Sequence, residues 1–238
     1  DAGIWSNDSG SCALAHRRLS IIDLSPDGKQ PMSNEDGTIW VTFNGEIYNF
    51  QQLRLQLMSE GHRFNSHTDT EVLPHLFEQM DPQRLGLLDG MFAFAAWNEK
   101  EKRLLLARDP FGKKPLYYSE GPGWFAFASE LKALRKVPLF DASLDREAIS
   151  LYLLLQYVPA PQTIFSGAKK LLPGHYLEAD FSKPGSPTIR ISQYTKFSPS
   201  ESNAKMDKDA EVDNLGKILI EAVEKRLVSD VPLGAFLS

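Results

Sequence analysis

Between Met91 and Ala128 four short β-prone runs follow one another: Met91 to Trp97, Arg103 to Ala107, Pro115 to Tyr118 and Trp124 to Ala128. Parallel strands need crossovers of about a dozen residues or more, so gaps this short demand antiparallel pairing. Phe92, Phe94 and Ala96 alternate with small residues, as strand faces do. Thr38 to Phe43 is a further β-rich run, and Asn44-Gly45 after it reads as a turn pair. Antiparallel sheets packed against helices, an α+β arrangement rather than a doubly wound one, are therefore expected.

Helix signals flank these runs. Asn49 is placed to cap a helix through about Glu60, with Gly61 as its stop. Thr68-Asp-Thr-Glu71 has capping-box spacing and predicts a second helix to about Met80, altered by Pro74. Asp145 to Tyr157 reads as a helix, and Leu172 to Tyr176 as a turn entering a strand. From Lys183 to about Asp209 the composition shifts to Ser, Pro, Asn, Lys and Asp, which marks a linker. Beyond it Val212, Leu215, Ile218, Leu219, Ala222 and Val223 recur with helical period to about Leu227. Val231 to Leu237 then reads as a short buried strand. The expected organisation is a domain over 1–182, a linker over 183–209, and the opening of an α/β domain over 210–238.

Charge excludes some partners. The net charge is −5 and no Lys/Arg block stands out, which argues against nucleic acid or an anionic membrane. The longest apolar stretches fall well short of the ~20 residues a membrane span needs. Cys12 is the sole cysteine, so no intrachain disulfide forms, which fits a reducing, cytoplasmic compartment. The chain begins at Asp1 and stops at Ser238 after an apolar run, and both ends are expected to be cut.

Four segments could carry chemistry. In Ala15-His-Arg-Arg-Leu-Ser-Ile-Ile-Asp23, alternation sends Arg17 and Arg18 to opposite faces. Each is either a solvated surface residue or a bidentate clamp for a carboxylate. In Phe43-Asn-Gly-Glu-Ile-Tyr-Asn49, Asn44 Nδ2 and the Gly45 N–H are either parts of a plain turn or two donors for an oxyanion. Asp69 either strengthens a helix N-terminus or receives an ammonium group. Ser229 to Ser238 is a strand leading towards a loop, which further Gly-rich sequence would turn into a phosphate cradle.

Taken in order, these segments resemble the glutamine-hydrolysing asparagine synthetases. The resemblance is carried by Leu14 to Asp23, Gln30-Pro-Met32, Asn44 to Asn49, Asp69-Thr-Glu71, Leu88 to Phe94, Arg108 to Gly112 and Ala128 to Lys132. Tyr157 to Pro161, Pro173 to Tyr176 and Ser229 to Pro232 extend it over nearly the whole chain. It implies a four-layer α/β/β/α N-terminal-nucleophile sandwich with two mainly antiparallel sheets, followed by the first elements of an ATP-pyrophosphatase-type domain. It implies glutamine as ammonia donor and aspartate as acceptor, activated with ATP and Mg²⁺, and often a homodimer. It places Arg18 on the glutamine carboxylate beside Leu19, Ser20, Ile21 and Ile22. Asn44 and Gly45 would form the oxyanion hole, Glu46 would line the pocket, and Asp69 would take the ammonium. Leu237 and Ser238 would touch the nucleotide, and no residue of the chain is expected to hold a metal.

The family's nucleophile is a cysteine at the first position of the mature chain, where this sequence has Asp1. Cys12 reads as an ordinary strand residue rather than a substitute, so the segment alone is expected to be inactive. Two other readings compete: an amidotransferase acting on another carboxylate, and a non-hydrolysing domain like that of β-lactam synthetases. Arg18, Asn44, Gly45 and Asp69 occurring together disfavour the non-hydrolysing reading, while the acceptor stays open with aspartate as the default.

Overall fold

Residue alternation in the central strands builds the molecule, whose computed structural model describes residues 1–197 and 208–235. The strands, in chain order, are β1 (Ala2–Ser6), β2 (Ala13–Arg17), β3 (Met32–Ser33) and β4 (Ile39–Ile47). They continue with β5 (Gly90–Asn98), β6 (Arg103–Arg108), β7 (Tyr117–Gly121) and β8 (Trp124–Ala128). The last three are β9 (Lys169–Lys170), β10 (His175–Asp180) and β11 (Thr188–Gln193). The helices are α1 (Phe50–Ser59), α2 (Val72–Leu76), α3 (Leu131–Leu134), α4 (Arg146–Leu155) and α5 (Lys208–Glu224).

Among the described residues the main sheet has six strands in the order β11-β10-β6-β5-β4-β3, all antiparallel. A second sheet is β8-β7-β9, and β1 and β2 form a hairpin. In β5, Phe92, Phe94 and Ala96 face one core, with Leu105 and Ala107 of β6 beside them. Leu53 and Leu57 of α1 and Val72, Leu73 and Leu76 of α2 close that core from outside. The intervening residues, Ala93, Ala95 and Trp97 with Leu104 and Leu106, face a second core shared with Tyr118 of β7. The main sheet is therefore buried on both sides, one by helices and one by the second sheet. Truncating Phe92 or Phe94 to Ala would cost about 3–5 kcal/mol, because each is fully buried. Beyond the second sheet α3 packs against β7 and β8. The α+β sandwich expected from the sequence is thus present.

The structure corrects several local readings. Asn44-Gly45 is not a turn: β4 runs straight through it, with Asn44 opposite Ala93 and Gly45 opposite Phe92. A Cβ at Gly45 would lie 2.1 Å from the Met91 carbonyl oxygen, so close strand approach, not turning, demands glycine. Asn49 precedes α1 but does not cap it; its amide instead donates to the Leu87 carbonyl and accepts from Asp89 N–H.

The second helix is shorter than expected. Glu71 does not return to Thr68 as a capping box would. Its carboxylate accepts the N–H groups of Asn65 (2.6 Å) and Ser66 (2.7 Å), and a 3₁₀ turn over Asp69–Glu71 results. Pro74 sits in the first turn of α2, where a missing N–H is tolerated.

Cys12 lies just ahead of β2 rather than within it, and its N–H donates to Asn7 Oδ1. Part of the expected linker is the edge strand β11, paired with β10 from Thr188 to Gln193. The described residues after Val231 form no strand and are exposed, contrary to the buried strand read there.

Candidate functional site

A cleft of about 530 Å³ opens beside β2, β4 and the Thr68–Thr70 turn, lined by Arg18, Leu19, Ile21, Ile22, Asn44, Gly45, Glu46 and Asp69 among others. Its volume lies in the usual range for small-molecule sites, about 300–1,000 Å³. Eight of the nine residues assigned to glutamine from the sequence thus meet there. The ninth, Ser20, does not line it; its hydroxyl is directed to the Asp1 carboxylate at 3.4 Å. Leu237 and Ser238 lie outside the described residues.

Arg18 follows β2 directly and is held by the loop it begins. Its Nη2 donates to the carbonyls of Ile22 (2.5 Å) and Asp23. Its Nη1 is buried and has no hydrogen-bond partner, with the Asp1 carboxylate 3.6 Å away. Gly28 lies flat against this guanidinium: a Cβ there would sit 2.5 Å from Nη1. A buried cation with one fixed and one unsatisfied nitrogen is suited to receive a carboxylate. Arg17 ends β2 and is exposed, yet it too lines the cleft, so alternation does not carry it to the opposite face as expected.

Asp23 organises the loop. It adopts a left-handed conformation (φ 57°), and its carboxylate accepts the N–H groups of Ser25 (3.0 Å) and His67 (2.7 Å). These donors and the nearby Arg18 outweigh burial and hold the Asp23 carboxyl below its usual range.

Asp69 stands on the 3₁₀ turn and is almost fully buried. Its Oδ2 accepts the Ile47 N–H at 2.9 Å and its Oδ1 the Thr68 hydroxyl at 3.2 Å. Burial pushes its pKa up to about 6, against those hydrogen bonds and with the Glu46 carboxylate adding to the rise. A cation arriving beside Asp69 would relieve that cost.

Asn44 and Glu46 project from the middle of β4. Neither side chain has a hydrogen-bond or ion-pair partner among the described residues. A cation, an anion and a neutral amide therefore line one cavity.

Sequence reasoning missed Gln30, a buried lining residue. Its Nε2 donates to Thr70 Oγ1 (3.3 Å) and its Oε1 accepts the Phe43 N–H (2.7 Å), tying the Asp69 turn to β4. His16 and Lys114 were missed too. Gln30 did stand in a quoted motif, but nothing in that motif marks it as buried.

The stretch after α5 packs on the rim. Asp230 N–H donates to the Ile21 carbonyl (2.9 Å), and Asp230 Oδ2 accepts the Asp23 N–H (2.7 Å). Lys225 pairs with Asp89 at 3.1 Å and the Arg226 guanidinium lies 4.5 Å above the Tyr48 ring.

An α+β sandwich of antiparallel sheets carrying such a cleft is the architecture of the class II glutamine amidotransferases. The solved structure of glutamine phosphoribosylpyrophosphate amidotransferase from B. subtilis has this fold, with a TM-score of 0.50 and 22% identity over 77% of this chain and 35% of that one. Residues 1–189 match the family described as the glutamine amidotransferase domain, and the chain belongs to that family. It is 40% identical over 222 residues to asparagine synthetase [glutamine-hydrolyzing] 1 of Bacillus subtilis (strain 168), covering 93% of this chain and 34% of the relative. It is 37% identical over 242 residues to asparagine synthetase [glutamine-hydrolyzing] 3 of the same organism, covering 100% of this chain and 38% of the relative. The chain thus spans just over a third of the length of these relatives.

Proposed function

We propose that the chain forms the glutamine site of a longer asparagine synthetase that hydrolyses glutamine and passes its ammonia to an activated aspartate. The observation that carries this reading is the unsatisfied Nη1 of Arg18 in the same cleft as the strained carboxyl of Asp69. An α-amino acid presents a carboxylate and an ammonium, and these two groups answer them separately. The names of the relatives supply the amide side chain and the acceptor.

In this reading Arg18 receives the glutamine carboxylate and the loop from Leu19 to Ile22 walls it. Asp69 receives the ammonium, and Glu46 lines the wall between them. Asn44 Nδ2 and the Gly45 N–H stabilise the oxyanion formed when the amide carbon is attacked. The attacking group would be the first-position cysteine that the family resemblance implies for the complete protein. Cys12 is not that group: burial, then the neighbouring Glu99 carboxylate, push its pKa up to about 12. In the complete protein ATP with Mg²⁺ would activate aspartate, with Leu237 and Ser238 assigned to the nucleotide. A cytoplasmic homodimer completes the proposal. Among the described residues, no helix is long and apolar enough to cross a membrane.

The decisive experiment is Arg18→Ala in the full-length enzyme. Glutamine-dependent synthesis should require glutamine concentrations raised ~100-fold or more, while synthesis from ammonia survives. Equal loss of both activities would sink the clamp role. Amidation of a carboxylate other than aspartate would replace the acceptor and leave the glutamine site as assigned.

A further inference from the structure

On the outer, helical side of the main sheet, four ligand-type side chains from three separate segments converge. Glu35 stands in the β3–β4 turn, His62 just after α1, His75 in α2 and Glu78 just beyond it. One donor atom from each lies within 4.8 Å of all the others. His62 Nδ1 is 3.3 Å from Glu35 Oε1 and 3.7 Å from Glu78 Oε1, and His75 Nδ1 is 3.1 Å from Glu35 Oε2. None of these residues lines the glutamine cleft.

Two observations set this cluster apart from an ordinary surface ion pair. His75 is 2% exposed, yet neither of its ring nitrogens makes a hydrogen bond. The Glu35 carboxylate is near its Nδ1 but lies off the direction in which an N–H would donate. A buried imidazole with both nitrogens unanswered is costly unless something else occupies a lone pair. The spacing is the second observation. Metal–N and metal–O bonds of about 2.0–2.2 Å in tetrahedral geometry separate neighbouring donors by roughly 3.3–3.6 Å. The contacts of 3.1, 3.3 and 3.7 Å lie close to that range, and the full donor set falls within 4.8 Å, near enough for small side-chain movements to close it on an ion.

We propose that Glu35, His62, His75 and Glu78 bind a divalent transition-metal ion of the zinc type. Two imidazoles beside two carboxylates favour such an ion over calcium or magnesium, which take oxygen ligands. Outer partners fix both carboxylates: the Arg63 N–H donates to Glu35 Oε1 (2.7 Å) and Asn34 Nδ2 to Glu78 Oε1 (2.8 Å). The ion would staple the β3–β4 turn to α2, the helix that continues the turn bearing Asp69.

The test titrates Zn²⁺ into the chelator-stripped full chain against a competing chromogenic chelator, and follows melting by calorimetry. We expect one ion per chain and a rise in Tm of at least ~5 °C at saturation. His62→Ala and Glu78→Gln, at partly exposed positions that the fold tolerates, should each weaken affinity ~100-fold. Asn34→Ala, which removes the outer donor to Glu78 together with the acceptor of the Thr38 and Ile39 N–H groups, should weaken it ~10-fold. Co²⁺ in place of Zn²⁺ should give the visible absorption of a four-coordinate site, lost in His62→Ala. Affinity unchanged in both ligand variants, or binding without stabilisation, overturns the proposal. Neither readout depends on glutamine hydrolysis.

Discussion

The carboxylate of Asp230 accepts the main-chain N–H of Asp23 at 2.7 Å, joining positions 207 residues apart in sequence. Asp230 also donates its own N–H to Ile21 (2.9 Å), so the stretch after α5 braces the loop that holds Arg18. Asp230→Ala should therefore lower glutamine affinity ~10-fold while costing about 1 kcal/mol of stability. Asp230→Asn keeps an acceptor oxygen and should stay near wild type. Isothermal titration with glutamine and thermal melts of both variants check this; wild-type affinity in Asp230→Ala would show the brace to be dispensable.

Asp69 should make the apo protein less stable as the solution becomes more basic. Its folded pKa, about 6, lies above the ordinary 3.8, so the folded state keeps a proton that the unfolded chain has released between those values. Stability falls as pH rises through that window, and above pH 6 the loss is complete, on the order of 2–3 kcal/mol. Asp69→Asn removes this term. Urea unfolding at pH 4.5 and pH 7.5 should show the variant gaining on wild type only at the higher pH.

The same carboxyl must be ionised to meet an ammonium. Wild-type glutamine affinity should therefore drop below pH 6, approaching tenfold per pH unit, and Asp69→Asn should bind ~100-fold more weakly with that slope gone. Titration calorimetry from pH 5 to pH 8 reads both. A pH-independent affinity in the wild type would remove Asp69 from the ammonium site.

Cys12 should be inert in the native protein. With its pKa at about 12, only about one thiol in ten thousand is ionised at pH 8. Reaction with an aromatic disulfide reagent should be slow until denaturant is added. Cys12→Ala should leave any glutaminase activity unchanged. Fast native labelling, or activity lost with Cys12, would refute this.

Asp109 should be among the costliest single losses. It is 1% exposed and its carboxylate accepts N–H groups from Phe92 (3.3 Å), Phe111 (3.0 Å), Lys113 (3.0 Å) and Lys114 (2.9 Å). Asp109→Ala strands all four donors and should cost at least ~3 kcal/mol by denaturant unfolding. Asp109→Asn, keeping one acceptor oxygen, should cost about half as much.

The parts of the fold legible in sequence are those governed by local periodicity. Strands β5 and β6 could be read because Phe92, Phe94 and Leu105 alternate with residues of a second core. Strand β11 could not: it is an edge strand with one partner, and its Ser- and Pro-rich setting resembles a linker. Within the cleft, the resemblance to a family led to Arg18, Asn44 and Asp69. It did not reveal that Gln30 bridges two walls, since that depends on a buried amide meeting Phe43 and Thr70. The Glu35, His62, His75 and Glu78 cluster was invisible for the same reason. Its members have no ligand spacing in sequence, and only the packing of α2 under the β3–β4 turn assembles them.

Glycine at position 45 answers to two masters. The Met91 carbonyl oxygen leaves no room there for a side chain, whatever the cleft contains. Glycine at this position is consequently written into the architecture of the sheet, independently of the oxyanion role proposed for it. A relative with a different chemistry in the cleft but the same sheet should still carry a glycine here, kept by strand packing alone.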